Sequence, residues 1–535
     1  MSLDAHDTEG VAGITRSLFL RQSAGLAASL SLASVLAACG SSDAGSGRTA
    51  GRPPAKPTGT FAFPLDGAST TFDPAYGNLL PDFIVMHTIY DRLVLFNDAY
   101  TDLTPSLATS WEQSADAREF TFHLRPNVRF HDGEPLDSTA VKKTFEYFVS
   151  ATASFAYLLM PPKFAKLDDS DPAVLRVVTS IPQPDFVRNQ TFLGVLSPKA
   201  VAKGADYIKQ NAIGSGAYTF SRRGGTGGVV VEANKDYWGG GPYFERIDFS
   251  VISDPGAQIN ALLAGQANMA YRMPPTQVAR VKSAAKIQTV SGPVWSSTFL
   301  PIACNVKPFD DVRVRQAVAH AIDKEALIAA VARGQGEVAD TFTPKGVVGY
   351  AQPSTTYRHD PARARQLLAE AGHTQPVKLR MITHAGAYLQ PQLAQAVAGQ
   401  LNEAGFAAQV DVVDVVAYGR AVGDARQQTY AAFPTEYTWL TGGPLIQELN
   451  AVQAVSRYAA DDIVKPLDRM RTTPDGPERD AAFKAFEDAF SQQVPMVPLF
   501  QSVYTDGLDD TVGGYTRTPK NGYGPNFGPL YAAAR

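Results

Sequence analysis

Between about residues 303 and 500, helix-like and strand-like stretches alternate, and this alternation limits the possible folds more than any other feature of the chain. "DPARARQLLAEAGH" opens with Asp360 at a cap and Pro361 in the first turn, and Gly372 falls just past its end. Together they are the signature of a helix. "VKLRMITH" reads as a strand, "LQPQLAQAVAGQLNEAG" as a helix stopped at Gly405, and "AAQVDVVDV" as another strand. Upstream, "FDDVRVRQAVAHAIDKEALIAAVARGQ" puts Val314, Ala317, Val318, Ala321 and Ile322 on one helical face, with a stop near Gly334. Such alternation argues for an α/β domain.

The first half has another rhythm. "REFTFHLRPNVRFHDG" alternates at Phe120, Phe122 and Leu124, which predicts a strand. Its "RPN" break predicts a hairpin turn leading into a second short run, Val128–His131, with a further turn at Asp132-Gly133. This reading places His123 and His131 on paired strands. "DSTAVKKTFEYFVS" follows as a capped helix with Val141, Phe145 and Phe148 at helical spacing. "AVLRVVTS" and "GVVVEAN" read as strands. At 535 residues the chain exceeds what one core organises, so two or three domains are expected.

The N-terminus reads as an address. Arg16 and Arg21 flank "SLFL", an apolar run of small residues and leucines follows, and Leu36-Ala37-Ala38-Cys39 matches a bacterial lipobox. The run is too short and small-sided for a permanent span. "TRSLFLR" also resembles a twin-arginine export signal in which Ser17 replaces the second arginine, so either export route stays open. The Gly/Ser/Pro-rich stretch after Cys39 reads as a flexible tether.

Chemistry is scarce. No G-x-S-x-G elbow, Walker loop, H-E-x-x-H or EF-hand loop occurs. "DDSD" (Asp168, Asp169, Asp171) lacks the glycine and distal glutamate of a calcium loop and reads as a solvated turn. "RRGGTGG" is a loop between strands. Two cysteines exclude a cysteine zinc site or a disulfide framework, and Cys304 reads as a buried small hydrophobe. A net charge of −4 offers no field for nucleic acid. No catalytic set, metal site or cofactor motif is expected.

An ordered series of segments nevertheless stands out. It runs "TFDPAYG", "LTPSLATSWEQSADAREFTFHLRPNVRFHDGEPLDSTAVKKTFEYF", "GSGAYTF", "NKDYWGGGPYFERIDFSVISDPGAQINALLAGQANMA", "CNVKPFDDVRVRQAVAHAIDKEALI" and "VPMVPLF". The series resembles the family 5 extracytoplasmic solute-binding proteins of ABC importers, the class that carries peptides, nickel complexes and opines. The resemblance implies an α/β, bilobed, periplasmic-binding-protein-like clamshell of type II with an extra subdomain on the first lobe. The implied layout is a lipoprotein signal peptide at 1–38 and a tether at 39–58. Lobe I takes 59–111, 212–302 and 503–535, the extra subdomain 112–211 and lobe II 303–502, with crossings near Ala303–Asn305 and Gln501–Tyr504. Cys39 becomes the lipidated N-terminus, anchoring the chain outside the cell membrane. Partners are then a peptide or other small solute and permease subunits with their ATPases, the receptor itself being a monomer that binds no nucleic acid.

Ligand contacts are implied residue by residue. The segment after the first Asp-Pro suggests Asn78 and Leu80, and the extra subdomain supplies Phe155. Aromatic walls for the cleft come from Trp295, Tyr437 and Trp439. Peptide binders place an aspartate just after the lobe II tryptophan; here Trp439 is followed by Leu440-Thr441-Gly442-Gly443-Pro444, and Glu436 is the substitute. Oligosaccharides, opine-like compounds and chelated metals stay open beside peptides. Two other classes also stay open: a secreted hydrolase on an α/β scaffold, and a ligand sensor reusing the fold.

Overall fold

The computed structural model describes residues 53–77, 79–97, 101–151, 156, 159–161, 163–384, 389–423, 430–439, 455–518 and 524–533. The expected signal peptide, Cys39, Asn78 and Phe155 lie outside the described residues, as does the tether up to residue 52.

Two four-stranded sheets fill the first part. One runs β1 (Thr60–Leu65), β10 (Arg246–Val251), β9 (Val229–Ala233), β8 (Tyr218–Arg223), with β1 parallel to β10 and the rest antiparallel. The other is antiparallel throughout: β4 (Ala108–Gln113), β5 (Glu119–Leu124), β7 (Val174–Thr179), β6 (Phe164–Asp171). β2 (Val94–Phe96) and β3 (Leu103–Pro105) form a small hairpin beside them. The alternation in β5 buries Phe120, Phe122 and Leu124 and leaves Thr121 and His123 toward solvent. Each buried phenylalanine contributes about 1.5–3 kcal/mol. Both sheets share one hydrophobic cluster, which also takes Val141, Phe145 and Phe148 from the helix Ser138–Ser150. That helix starts where Asp137 accepts the Ala140 amide at 3.0 Å.

The second part holds the parallel pair β14 (Val377–His384) and β15 (Phe406–Val413), joined by the helix Gln390–Glu403. Its core is a separate cluster running from Leu300 to Phe500. A third cluster, with Trp295, Phe342, Trp439 and Phe483, lies beside it. The predicted helix over 312–330 is two helices, Val312–Ala321 and Lys324–Ala330. Ile322 is extended and Asp323 caps the second by accepting the Ala326 amide at 2.8 Å, a local bond that outcompetes helix continuation.

Two long strands run through both parts. β12 (Ile287–Pro301) pairs antiparallel with β17 (Met496–Asp509). Residues 287–293 face 503–509 beside the first core, and 297–301 face 496–501 beside the second. The register shifts between Pro293 and Ser297 and again between Thr298 and Phe299. β11 (Met269–Ala270) and β13 (Gly336–Val338) flank β17, and β16 (Thr435–Thr438) flanks β12. β18 (Val512–Gly513) and β19 (Tyr531–Ala532) close the C-terminal end.

One local expectation is corrected. β5 pairs with β4 and β7, not with Val128–His131. Asn127, at φ +61°, turns the chain away, and residues 128–136 close their own turn. There the Phe130 amide donates to Glu134 and the Leu136 amide to Val128. His123 therefore meets Glu112, whereas His131 is set against the Gly216 carbonyl at 3.0 Å. Asp132 accepts the Ser197 hydroxyl at 2.6 Å and Gly133 takes φ +83°. Burial pushes the His131 imidazole below its usual range, which suits a structural residue.

Candidate functional site

The central sheet passes between the cores, so a side chain on its strands near the register shift can reach either part. Along β16 the side chains alternate. Tyr437 packs on Phe299 and Phe342, and Trp439, two residues on, enters the same third cluster. Glu436, just before Tyr437 and on the other face of the strand, turns to a cavity of about 370 Å³ open to solvent. Thr298, Gln335, Gln390, Ser502 and Tyr504 also line it.

Glu436 is held from several directions. Its Oε1 accepts the Ser502 hydroxyl at 2.5 Å and its Oε2 the Tyr504 hydroxyl at 2.7 Å. Arg272, from the segment after β11, donates Nη2 to Oε2 at 3.2 Å and to the Tyr504 oxygen at 2.7 Å. The guanidinium lies 4.3 Å from the centre of the Tyr504 ring. Arg272 itself sits at φ +53°, with its amide donating to Asp506 at 2.8 Å. Asp506 is buried and paired with Arg517, and it accepts the Tyr515 hydroxyl at 2.5 Å. The Asp506 charge holds the Arg517 guanidinium above its usual range despite burial. Two arginines and two carboxylates thus surround Tyr504 in balance.

The sequence-predicted residues fall in different places. Glu436 lines the cavity. Trp295 and Trp439 are 2% and 1% exposed, and the Trp439 amide donates to the Trp295 carbonyl at 2.7 Å. Burial pushes the half-buried Tyr437 hydroxyl well up. Leu80 opens the helix Leu80–Ile89 and packs half-buried on the first core. Arg272, Ser502 and Tyr504 escaped the sequence reading. Only a lone arginine two residues after "GQANMA" hinted at the first, and nothing periodic marks the other two.

Among the described residues no three His, Cys, Asp or Glu side chains converge on a metal position. The "DDSD" carboxylates are occupied: Asp168 by Lys166, Asp169 by Lys142 and Thr139, and Asp171 by the Ala173 amide. Cys304 is buried, and desolvation lifts its thiol to about 11. No helix of the described residues is long and apolar enough to cross a membrane.

Residues 102–442 match the family model of bacterial extracellular solute-binding proteins, family 5. A di/tripeptide-binding protein of Pseudomonas aeruginosa is 24% identical over 498 residues, covering 86% of this chain and 93% of that protein. The ABC transporter substrate-binding protein CtaP of Listeria monocytogenes superposes with a TM-score of 0.81 at 22% identity, covering 89% of this chain and all of the other. NikA of Brucella suis, solved with Fe(III)-EDTA, gives 0.79 at 21% identity, covering 88% and 99%. The likeness extends over the bilobed α/β body.

Proposed function

We propose, proceeding from the premise that this chain belongs to the bacterial extracellular solute-binding proteins of family 5, that it captures an oligopeptide or related small solute between its two lobes. It hands the solute to an ABC import permease. The family consists of extracytoplasmic receptors, not enzymes, that work with ABC permeases. The chain performs no chemistry of its own, and ATP hydrolysis by partner subunits drives transport. Cys39 carries the lipid that holds it, as a monomer, at the outer face of the cell membrane.

Residues 59–111, 212–302 and 503–535 form lobe I, 112–211 the subdomain packed on it, and 303–502 lobe II. The carrying observation is that separate hydrophobic cores are bridged by β12 and β17, with a register shift where they cross. Strands that are continuous but irregular over a short stretch, here between Pro293 and Phe299, absorb a small rotation there without losing their pairing elsewhere. The hinge is assigned to the crossings near Ala303–Asn305 and Gln501–Tyr504, next to these irregularities of β12 and β17. The cavity beside Glu436 lies at this crossing, with Trp295, Tyr437 and Trp439 backing it from the third core. Asn78, Leu80 and Phe155 are the contacts assigned to the facing lobe.

The peptide class draws support from the di/tripeptide-binding relative. Native mass spectrometry of freshly purified protein tests it, because a solute enclosed between lobes leaves slowly. The expected result is an adduct whose mass fits a short peptide. An oligosaccharide, opine or metal chelate instead would remove the peptide class and keep the receptor; release of a chemically altered compound would overturn the receptor.

A further inference from the structure

Apart from the crossing strands, few polar side chains among the described residues link the first part to the second. Among the described residues one link is Arg272–Glu436, at the hinge cavity. Another is Arg479 with Asp185, 294 positions apart in sequence. Arg479 belongs to the helix Pro477–Gln493 of the second part, and Asp185 precedes the short helix Phe186–Asn189 within the 112–211 segment. Their side chains are 1% and 3% exposed, so this is a buried ion pair.

The two ends of the pair are built differently. Arg479 is fixed from its own side: Nε donates to the Met470 carbonyl at 2.8 Å, Nη1 to Asp475 at 2.5 Å, and the guanidinium lies 5.1 Å from the Phe483 ring. Only Nη2 reaches across to Asp185. Asp185 has little support of its own. Its Oδ1 has no hydrogen-bond partner, and the nearest cation on its side is Arg188, whose Nε is 3.7 Å away.

When the parts separate, Arg479 keeps two acceptors and an aromatic face, while Asp185 recovers full hydration. A pair of this kind can come apart without stranding a buried charge, which is the usual penalty for breaking one. When the parts meet, a guanidinium already held in place receives the carboxylate and loses little side-chain freedom.

We propose that Asp185 and Arg479 are positioning residues for solute capture: a latch that touches no solute and sets how far the closed arrangement is favoured. The proposal rests on the lobe assignment given above.

The test measures a distance across the latch. Spin labels go on Gln113→Cys and Thr472→Cys, both exposed, in a Cys39→Ser chain whose other thiol, Cys304, is buried. Distances are recorded on protein as purified and on protein stripped of solute by unfolding and refolding. Asp185→Asn and Arg479→Gln are expected to lower the ratio of short to long distances by about 10²-fold or more. Charge reversal is a poor rescue, because Arg188 and Asp475 would then face like charges. The apolar pair Asp185→Leu with Arg479→Met replaces the bridge by packing and should restore the short distance. If one single variant does not fold, the other decides: a shift to long distances supports the latch, and a distribution like wild type overturns it. A wild type that changes distance on losing solute, beside folded single variants that match it, removes the latch and keeps the lobes. Distances that never change in any protein remove both.

Discussion

Two buried arginine–carboxylate pairs are nearly equal in exposure and differ in where they sit. Arg517–Asp506 is 1% and 0% exposed: the Tyr515 hydroxyl and the Arg272 amide bond Asp506, and the Tyr271 and Tyr504 rings lie 5.3 and 5.2 Å from the guanidinium. Arg479–Asp185 is as dry but lies between two cores. Removing one partner of the first strands the other inside a core that can rehydrate it only by unfolding. Under the proposed lobe motion, removing one partner of the second leaves an escape, because the cores part. Burial alone therefore does not fix what a pair contributes; the nearest route to water does.

The largest effect is expected at the pair without that route. Asp506→Asn leaves the Arg517 charge uncompensated and should lower the unfolding free energy by about 3–5 kcal/mol. Urea unfolding measures it. Arg479→Gln in the same assay should change unfolding by much less while opening the lobes. Equal losses for the two variants would erase the distinction between them.

A third buried carboxylate sharpens the contrast, since neutral donors meet it instead of a buried cation. Asp91 accepts from Trp238 Nε1 at 2.7 Å and from the Ser215 and Tyr237 hydroxyls at 3.1 Å each. Desolvation outweighs these bonds and lifts its carboxyl to about 6. The folded state then binds a proton that the unfolded chain, titrating near 4, has released. Stability contributed by this group is present at low pH and is lost as pH rises from about 4 through 6, by about 2–3 kcal/mol. Against wild type, Asp91→Asn should lose that part of the slope between pH 4.5 and 7.5. Parallel slopes would mean Asp91 stays ionised in the fold.

How much of this was readable beforehand depends on the separation in sequence between interacting residues. The caps at Asp137 and Asp360, the alternation of Phe120, Phe122 and Leu124, and the strand–helix order after residue 303 are local, so periodicity and cap chemistry revealed them. The hairpin at "RPN" was misread because Asn127 can adopt the left-handed region, and one such residue redirects a strand that composition alone would pair. Glu436 could be nominated as an acid near a tryptophan. Its partners could not, since Arg272 and Tyr504 lie 164 and 68 positions away and only the crossing of β12 and β17 brings them together. Asp185 and Arg479 were invisible for the same reason.

The smallest effect is expected at the half-exposed pair. Arg272 and Glu436 keep 23% and 19% of their side-chain surface in contact with solvent, so water screens their attraction and either can be rehydrated without moving a lobe. Glu436→Gln removes the charge, and its amide can still bond the Tyr504 and Ser502 hydroxyls. The loss in unfolding free energy should be at most about 1 kcal/mol. Binding is where this substitution discriminates. Should the captured solute place an ammonium on Glu436, its affinity should fall by about 10-fold or more in the glutamine variant, with the larger loss at low ionic strength. If Glu436 serves only to brace Arg272 against Tyr504 at the hinge, titration calorimetry with the solute identified by mass will give the same affinity for both proteins. A half-exposed pair is then architecture, and ligand selectivity belongs to the lobe surfaces on either side of it.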